Sequence, residues 1–319
     1  MSNKSTMVSI GQPGDRIAEL AAQIRAAPPS AALREAFAAL RLAEIAGSAR
    51  LAGTALDHTE VRVLLERGRA LGGHRLEDYL IVRGYADASA WAVRQAARRA
   101  PIGGEDLRTL HRLAVGGAAE GGAWRTSNLP PLADGTIPPP HWMVAFETET
   151  AVGRLALSEN EPAPLALAQA IARFVRLRPF PSANGRVARL VANLLAYRRG
   201  LPPLVLDARA RRQYADALRA ASAREVGPLV AVVRRALVRG LEHLRDAAEA
   251  PPELRPLAEF AAGGAADGLY KAAQRGRLRV VRRDGRLYTT QAWLDQYRPR
   301  PSATDGTAGT ERDRPNSGR

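Results

Sequence analysis

The residues with the clearest chemical potential form one run, Arg178-Pro179-Phe180-Pro181-Ser182-Ala183-Asn184-Gly185-Arg186-Val187-Ala188-Arg189, between two apolar segments. Two prolines break the chain, Asn-Gly restarts it, and arginines follow on the first helical turn and one turn later. A loop feeding a helix N-terminus offers free N–H groups and the positive end of the helix dipole, so it attracts anions. Arg186 and Arg189 are three residues apart and can face one ligand together. The same string is equally compatible with a loop cap carrying two solvated arginines.

The elements that must hold this loop read as helices. Apolar residues recur at helical spacing over Arg16 to Arg25 and Ala31 to Leu51, with Pro28 and Pro29 between them. Asp57 or Thr59 can cap a helix over Val61 to Ala70, and further helices are expected over Ser89 to Ala100 and Leu107 to Val115. Gly116 to His141 holds Gly-Gly pairs, Pro130-Pro131 and Pro138 to Pro140, and reads as a long loop or short hairpin of the kind that carries function. Leu165 to Val175 leads into the anion loop, and Gly185 to Arg199 leads out, stopping at Gly200-Leu201-Pro202-Pro203. Helices Ala208 to Ser222 and Pro228 to Glu249 follow.

The chain has 319 residues and carries 47 Lys+Arg against 32 Asp+Glu, a formal net charge of +15. Only Lys4 and Lys271 are lysines, so the excess is almost all arginine; it attracts polyanions such as nucleic acid or nucleotides, although a generally solvated basic surface accounts for the charge equally well. Zero cysteines exclude a disulfide framework, a thiolate nucleophile and a Cys-type zinc site. Met1 to Gly14 has no apolar signal core, and no stretch of 18 apolar residues lacks an Arg or acid, so a cytoplasmic chain away from membranes is expected. No Walker-type Gly-Lys loop is present, which argues against a sheet-based nucleotide fold.

The run at 178–189 resembles the Fic family motif, His-Pro-Phe-x-(Asp/Glu)-Gly-Asn-Gly-Arg-x-x-Arg, keeping Pro179, Phe180, Asn184, Gly185, Arg186 and Arg189 in register. Flanking blocks agree in order: Asp106 to His111, Ala123 to Ser127, Phe174 to Leu177, Leu190 to Leu195 and Tyr214 to Leu218. The resemblance spans roughly residues 30–250 and implies an all-α core with a flap hairpin near residues 124–137. It also implies ATP as the nucleotide, AMP transfer to a target-protein hydroxyl, and a phosphate cradle of Ser182, Ala183, Asn184, Gly185, Arg186 and Arg189. This chain departs from the pattern at the reacting positions. Arg178 stands where the family has its general base, and a guanidinium stays protonated and accepts no hydrogen bond. Ser182 replaces the acid that holds Mg2+, a weaker and neutral ligand, so Mg2+ is not expected, and no metal site is assigned. Of the histidines, His111 reads as a packed residue and His141 as one that follows the proline run near the flap.

Many Fic proteins also carry an inhibitory helix of pattern Ser/Thr-x-x-x-Glu-Gly/Asn, whose Glu pairs with the last motif Arg. Ser48-Ala49-Arg50-Leu51-Ala52-Gly53 fits that frame with Ala52 in place of Glu, so Arg189 is expected to be released from this regulatory element (Ser48, Ala52, Gly53) or simply free for phosphate.

After Ala250-Pro251-Pro252 the pattern changes. Two short helices, Leu257 to Ala262 and Asp267 to Arg275, flank Gly263-Gly264; two strands meet at Asp284-Gly285, a strong hairpin signal; and Thr289 or Thr290 can cap a last helix, Gln291 to Tyr297. This order resembles the winged helix-turn-helix modules that follow some Fic domains. From Leu254 to Arg300 ten bases face four acids, a net of +6, and Lys271, Arg275, Arg277, Arg279, Arg282, Arg283 and Arg286 are the candidate DNA contacts. A small packing or protein-binding module is the competing reading.

The fold class expected is therefore mainly α, a Fic-type helical core with a short flap hairpin plus a small winged-helix domain. The expected divisions are 1–29, an N-terminal leader and helix; 30–250, the Fic-like domain; 251–300, the winged module; and 301–319, a disordered tail. The favoured function is a degenerate Fic protein acting as a DNA-binding or nucleotide-responsive regulator. The alternatives are an active adenylyltransferase with an unconventional base, or a scaffold binding neither ligand. The partners expected are DNA, an unidentified target protein and a second copy in a homodimer.

Overall fold

A computed structural model describes residues 15–116, 118–132, 135–206, 211–249, 254–260, 266–283 and 285–297. The leader ahead of Asp15, the Gly263-Gly264 turn, Asp284 and the tail beyond Tyr297 lie outside the described residues. The chain divides into two compact units, Met1–Glu249 and Ala250–Arg319.

The first unit is helical: α1 Asp15–Ala26, α2 Ala31–Leu51, α3 His58–Arg67, α4 Leu76–Arg98, α5 Gly104–Ala114, α6 Val144–Leu157, α7 Ala163–Leu177, α8 Asn184–Arg198, α9 Arg211–Ser222 and α10 Gly227–Ala248. Its starts follow local chemistry. Ser30 accepts from the Leu33 N–H at 3.1 Å, and Asp57 and Glu60 cap each other's backbone at 2.8 Å. Helix α8 runs through the centre, against α4, α5 and α7, and every residue from Val187 to Ala196 is buried. A helix buried on all sides must be apolar almost throughout, so its two polar residues there, Arg189 and Asn193, need partners inside the protein. Asn193 finds one in the Leu204 N–H, which it accepts at 2.9 Å.

Two helices extend beyond the sequence expectation. Helix α4 begins well ahead of Ser89, and α6 fills a stretch for which no element is expected. Within the flap between residues 124 and 137 the Leu132 N–H donates to Thr136 O at 2.8 Å, and the described flap residues contain no strand. Pro130, Pro131 and Pro138 to Pro140 supply no N–H donors, so a ladder cannot extend from that contact.

The second unit contains β1 Arg255–Pro256, α11 Leu257–Phe260, α12 Ala266–Gln274, β2 Val281–Arg283, β3 Arg286–Thr289 and α13 Gln291–Gln296. The strands form an antiparallel sheet in the order β1-β3-β2, so the expected two-stranded ribbon gains a third strand. Leu257, Ala272 and Leu278 form its core, and Thr290 caps α13 by accepting from the Trp293 N–H at 3.1 Å.

Candidate functional site: an arginine-lined cavity at the start of α8

The loop 178–183 is fixed from both sides. Arg178 caps α7 and Ala183 caps α8, both in the left-handed region at φ 45° and 56°. Asn184 ties the loop to itself: its Oδ1 accepts from the Phe180 N–H at 3.0 Å, and its Nδ2 donates to Phe180 O at 2.8 Å. Phe180 is fully buried and stacks on His111, with ring centroids 4.0 Å apart, and on Trp124, at 4.9 Å. An alanine in the left-handed region is strained by roughly 1–2 kcal/mol, and glycine is not. Ala183→Gly is therefore expected to stabilise the fold by about 1 kcal/mol after the added unfolded-state entropy, seen as a rise of roughly 2–4 °C in Tm.

Above this loop lies a cavity of about 380 Å3 lined by Leu51 and Ala52 at the end of α2, Leu132 of the flap, Val175, Arg178, and Ser182, Ala183, Asn184, Gly185, Arg186 and Arg189. The structure thus gathers the residue at the motif base position, the whole phosphate-cradle set and Ala52 of the regulatory frame. Gly53 lies past the α2 cap and is not part of the lining, while Ser48 reaches the site through Arg189. Three guanidiniums and no carboxylate line the cavity among the described residues, a charge pattern that favours anions.

The arginines differ in freedom. Arg186 donates to Ala114 O, and burial, reinforced by the neighbouring charge of Arg189, lowers its pKa. Arg189 is only 7% exposed and donates from Nε to Ser48 Oγ at 2.7 Å and from Nη2 to Ser48 O at 3.0 Å. This corrects the expectation that losing the acid at position 52 releases Arg189: Ser48, one turn earlier on α2, holds it. An acid, invisible as a site residue in the sequence, sits nearby. Glu44 is buried on α2 and accepts from the Tyr85 hydroxyl; burial pushes its carboxyl up to about 7, against the opposing pull of Tyr85 and of the Arg189 charge.

Arg125 is the other residue sequence reasoning passed over. Only 3% exposed, it donates from Nε to Arg178 O at 2.9 Å, from Nη1 to Ser127 O at 2.9 Å, and from Nη2 to Pro139 O. Its own N–H donates to Pro179 O at 3.0 Å. One guanidinium therefore joins the start of the anion loop to both ends of the flap. The only sequence signal was its place between Trp124 and Thr126 in a block matching the family.

Neither histidine offers a base at the cavity. His111 is fully buried, its Nδ1 accepts from the Gly122 N–H at 2.9 Å, and burial with the charge of Arg186 lowers its pKa to about 4. His141 is held by Asn128 Oδ1, 3.2 Å from its Nδ1, and does not line the cavity. The Mg2+ implied by the family does not fit this lining either. Mg2+ seeks near-octahedral oxygen ligation with carboxylate, whereas here a serine hydroxyl stands among three cations. No cluster of three or more His, Asp or Glu occurs among the described residues.

In the second unit Lys271, Arg275, Arg277, Arg282 and Arg286 are exposed on α12, the following turn and the hairpin. Arg279 is exposed too and lays its guanidinium over the Trp293 ring, 4.6 Å from the centroid, so part of its role is packing. The side chain of Arg283 lies outside the described set. No described helix is long and apolar enough to cross a membrane.

Residues 101–196 match the model of the Fic/DOC family. Protein adenylyltransferase Fic of Drosophila grimshawi is 27% identical over 210 residues, covering 62% of this chain and 43% of that protein. The Culex quinquefasciatus protein of the same name is 26% identical over 242 residues, 74% of this chain and 48% of its own length. The chain thus spans less than half the length of these curated relatives. Among solved structures, a Fic domain containing signaling protein from Bacteroides thetaiotaomicron superposes with a TM-score of 0.67 at 20% identity, over 75% of this chain and 97% of that one. Fic-1 from C. elegans gives 0.67 at 23% identity, over 73% and 70%. At these identities the superpositions establish a shared helical fold.

Proposed function

We propose that this chain, whose residues 101–196 match the Fic/DOC family model, is a Fic protein that binds the phosphates of a nucleotide, ATP in the first instance, without transferring AMP. In this reading residues 30–250 act as the sensor, and residues 251–300 act as a DNA-binding winged helix-turn-helix that makes it a regulator. One observation carries the proposal: Arg178 occupies the base position of a cavity lined by three guanidiniums and no described carboxylate. Such a site attracts phosphate strongly, yet has no group that can take a proton from an attacking hydroxyl. The α8 N-terminus and Arg186 supply the cradle, Arg178 supplies charge where a base would stand, and Arg189 stays with Ser48. The exposed bases of the second unit suit phosphate contacts.

Two binding measurements on the full chain test this. Calorimetry with ATP should give saturable binding that Arg186→Ala weakens at least tenfold. A labelled fragment from the region upstream of the chain's own coding sequence should be retarded at moderate salt, and the retardation should weaken in Arg275→Ala/Arg282→Ala. Absence of ATP binding removes the sensor, and absence of retardation removes the DNA-binding role. A second reading, an active adenylyltransferase using another base, draws on the names of the curated relatives and on the retained Asn184, Gly185, Arg186 and Arg189.

A further inference from the structure

A second cavity, of about 300 Å3, lies where the chain leaves the flap. It is lined by Ile137 of the flap and Pro139 just beyond it, Glu147, Thr150, Ala151 and Arg154 of α6, and Arg173, Arg176 and Leu177 of α7. Three guanidiniums from two helices meet here. Arg173 is half-buried, and its pKa is lowered by burial and by the charges of Arg154 and Arg176. Two acids face the group, Glu147 in the wall and Glu161 beside Arg173, so the cluster keeps a net positive charge. Packing like charges against one another is unfavourable unless an anion balances them.

The wall beside the cluster is apolar and exposed. Trp142, Phe146, Thr150 and Arg154 follow one another at intervals of four, so they form a single ridge along α6 and the preceding turn. Trp142 is 67% exposed, Phe146 65% and Ile137, across the cavity mouth, 73%. Large aromatics left in water beside arginines have the composition of a protein-binding hot spot rather than of an ordinary solvated face. The volume is at the lower edge for a small-molecule site and accommodates one or two acidic side chains.

We infer that this face docks an acidic segment of a partner protein, with its carboxylates in the Arg154/Arg173/Arg176 cavity and an adjacent apolar side chain against Trp142 and Phe146. Docking here does not depend on nucleotide binding at α8, since the two cavities share no lining residue.

The probe is a synthetic peptide of six glutamates flanking a central Leu-Phe pair, titrated calorimetrically into the full chain. Arg173→Met/Arg176→Met is expected to weaken binding at least tenfold. The exposed-site variants Arg154→Met and Phe146→Ser are expected to weaken it three- to tenfold, and Arg235→Met on α10 to leave it unchanged. The Arg154 and Phe146 variants keep the test decisive if the double variant fails to fold. Three results overturn the inference: no binding of the peptide, equal binding by the Arg235 and cluster variants, or equal competition by polyphosphate of the same charge. The last two assign any attraction to the chain's diffuse positive charge.

Discussion

Arg178→His combined with Ser182→Asp is expected to gain self-labelling from α-labelled ATP with Mg2+, by a factor of at least ~10² over the unmodified chain. Imidazole supplies the acceptor that guanidinium lacks, and the carboxylate supplies a hard anionic oxygen that serine lacks. Backbone geometry favours the change: position 178 sits at φ 45°, a region histidine visits more readily than arginine. Each single variant is expected to recover much less, because base and metal ligand act on one transition state and their effects are not additive. Arg178→His alone matching the double variant would mean that the serine suffices.

The second large effect is a pH dependence set by Glu44. Its folded pKa is raised from 4.5 to about 7, so between those values the folded chain binds more protons than the unfolded one. Stability from this group is fully present below pH 4.5, falls as pH rises to about 7, and is constant above, a loss of about 3 kcal/mol. Glu44→Gln cannot ionise. Its unfolding free energy, measured by urea denaturation, should therefore gain about 3 kcal/mol on the unmodified chain between pH 4.5 and 8. Parallel curves for the two proteins across that range would show that Glu44 titrates normally and that the buried contact with Tyr85 carries no proton linkage.

The helices around the site were legible where punctuation was strong. Pro179, Pro181 and Gly200 bracket α8, and Pro162 with Pro164 marks the start of α7. Helix α6 was hidden because its outer ridge carries Trp142, Phe146 and Leu157 into solvent, which blurs the apolar period. The first half of α4 contains Gly84, a residue that lowers helix propensity. In the fold it is a close approach, since a Cβ there would meet Leu113 O at 2.5 Å. The cradle 182–189 was readable because it is contiguous. The Ser48–Arg189 contact joins residues 141 apart in the chain, and no local pattern distinguishes a serine that holds an arginine from one that packs. Glu44 looked like any helix-surface acid, and only the burial of the whole α2 segment from Glu44 to Ala49 makes it a site residue.

The central claim is that the α8 cavity holds nucleotide without transferring it. The direct measurement is one incubation of the unmodified full chain with α-labelled ATP and Mg2+, divided between equilibrium dialysis and acid precipitation. The expected result is saturable, fully reversible binding that Arg186→Ala weakens, and no acid-stable label on the protein. Acid-stable label on the unmodified chain, lost in Arg186→Ala, would contradict it and establish an active transferase.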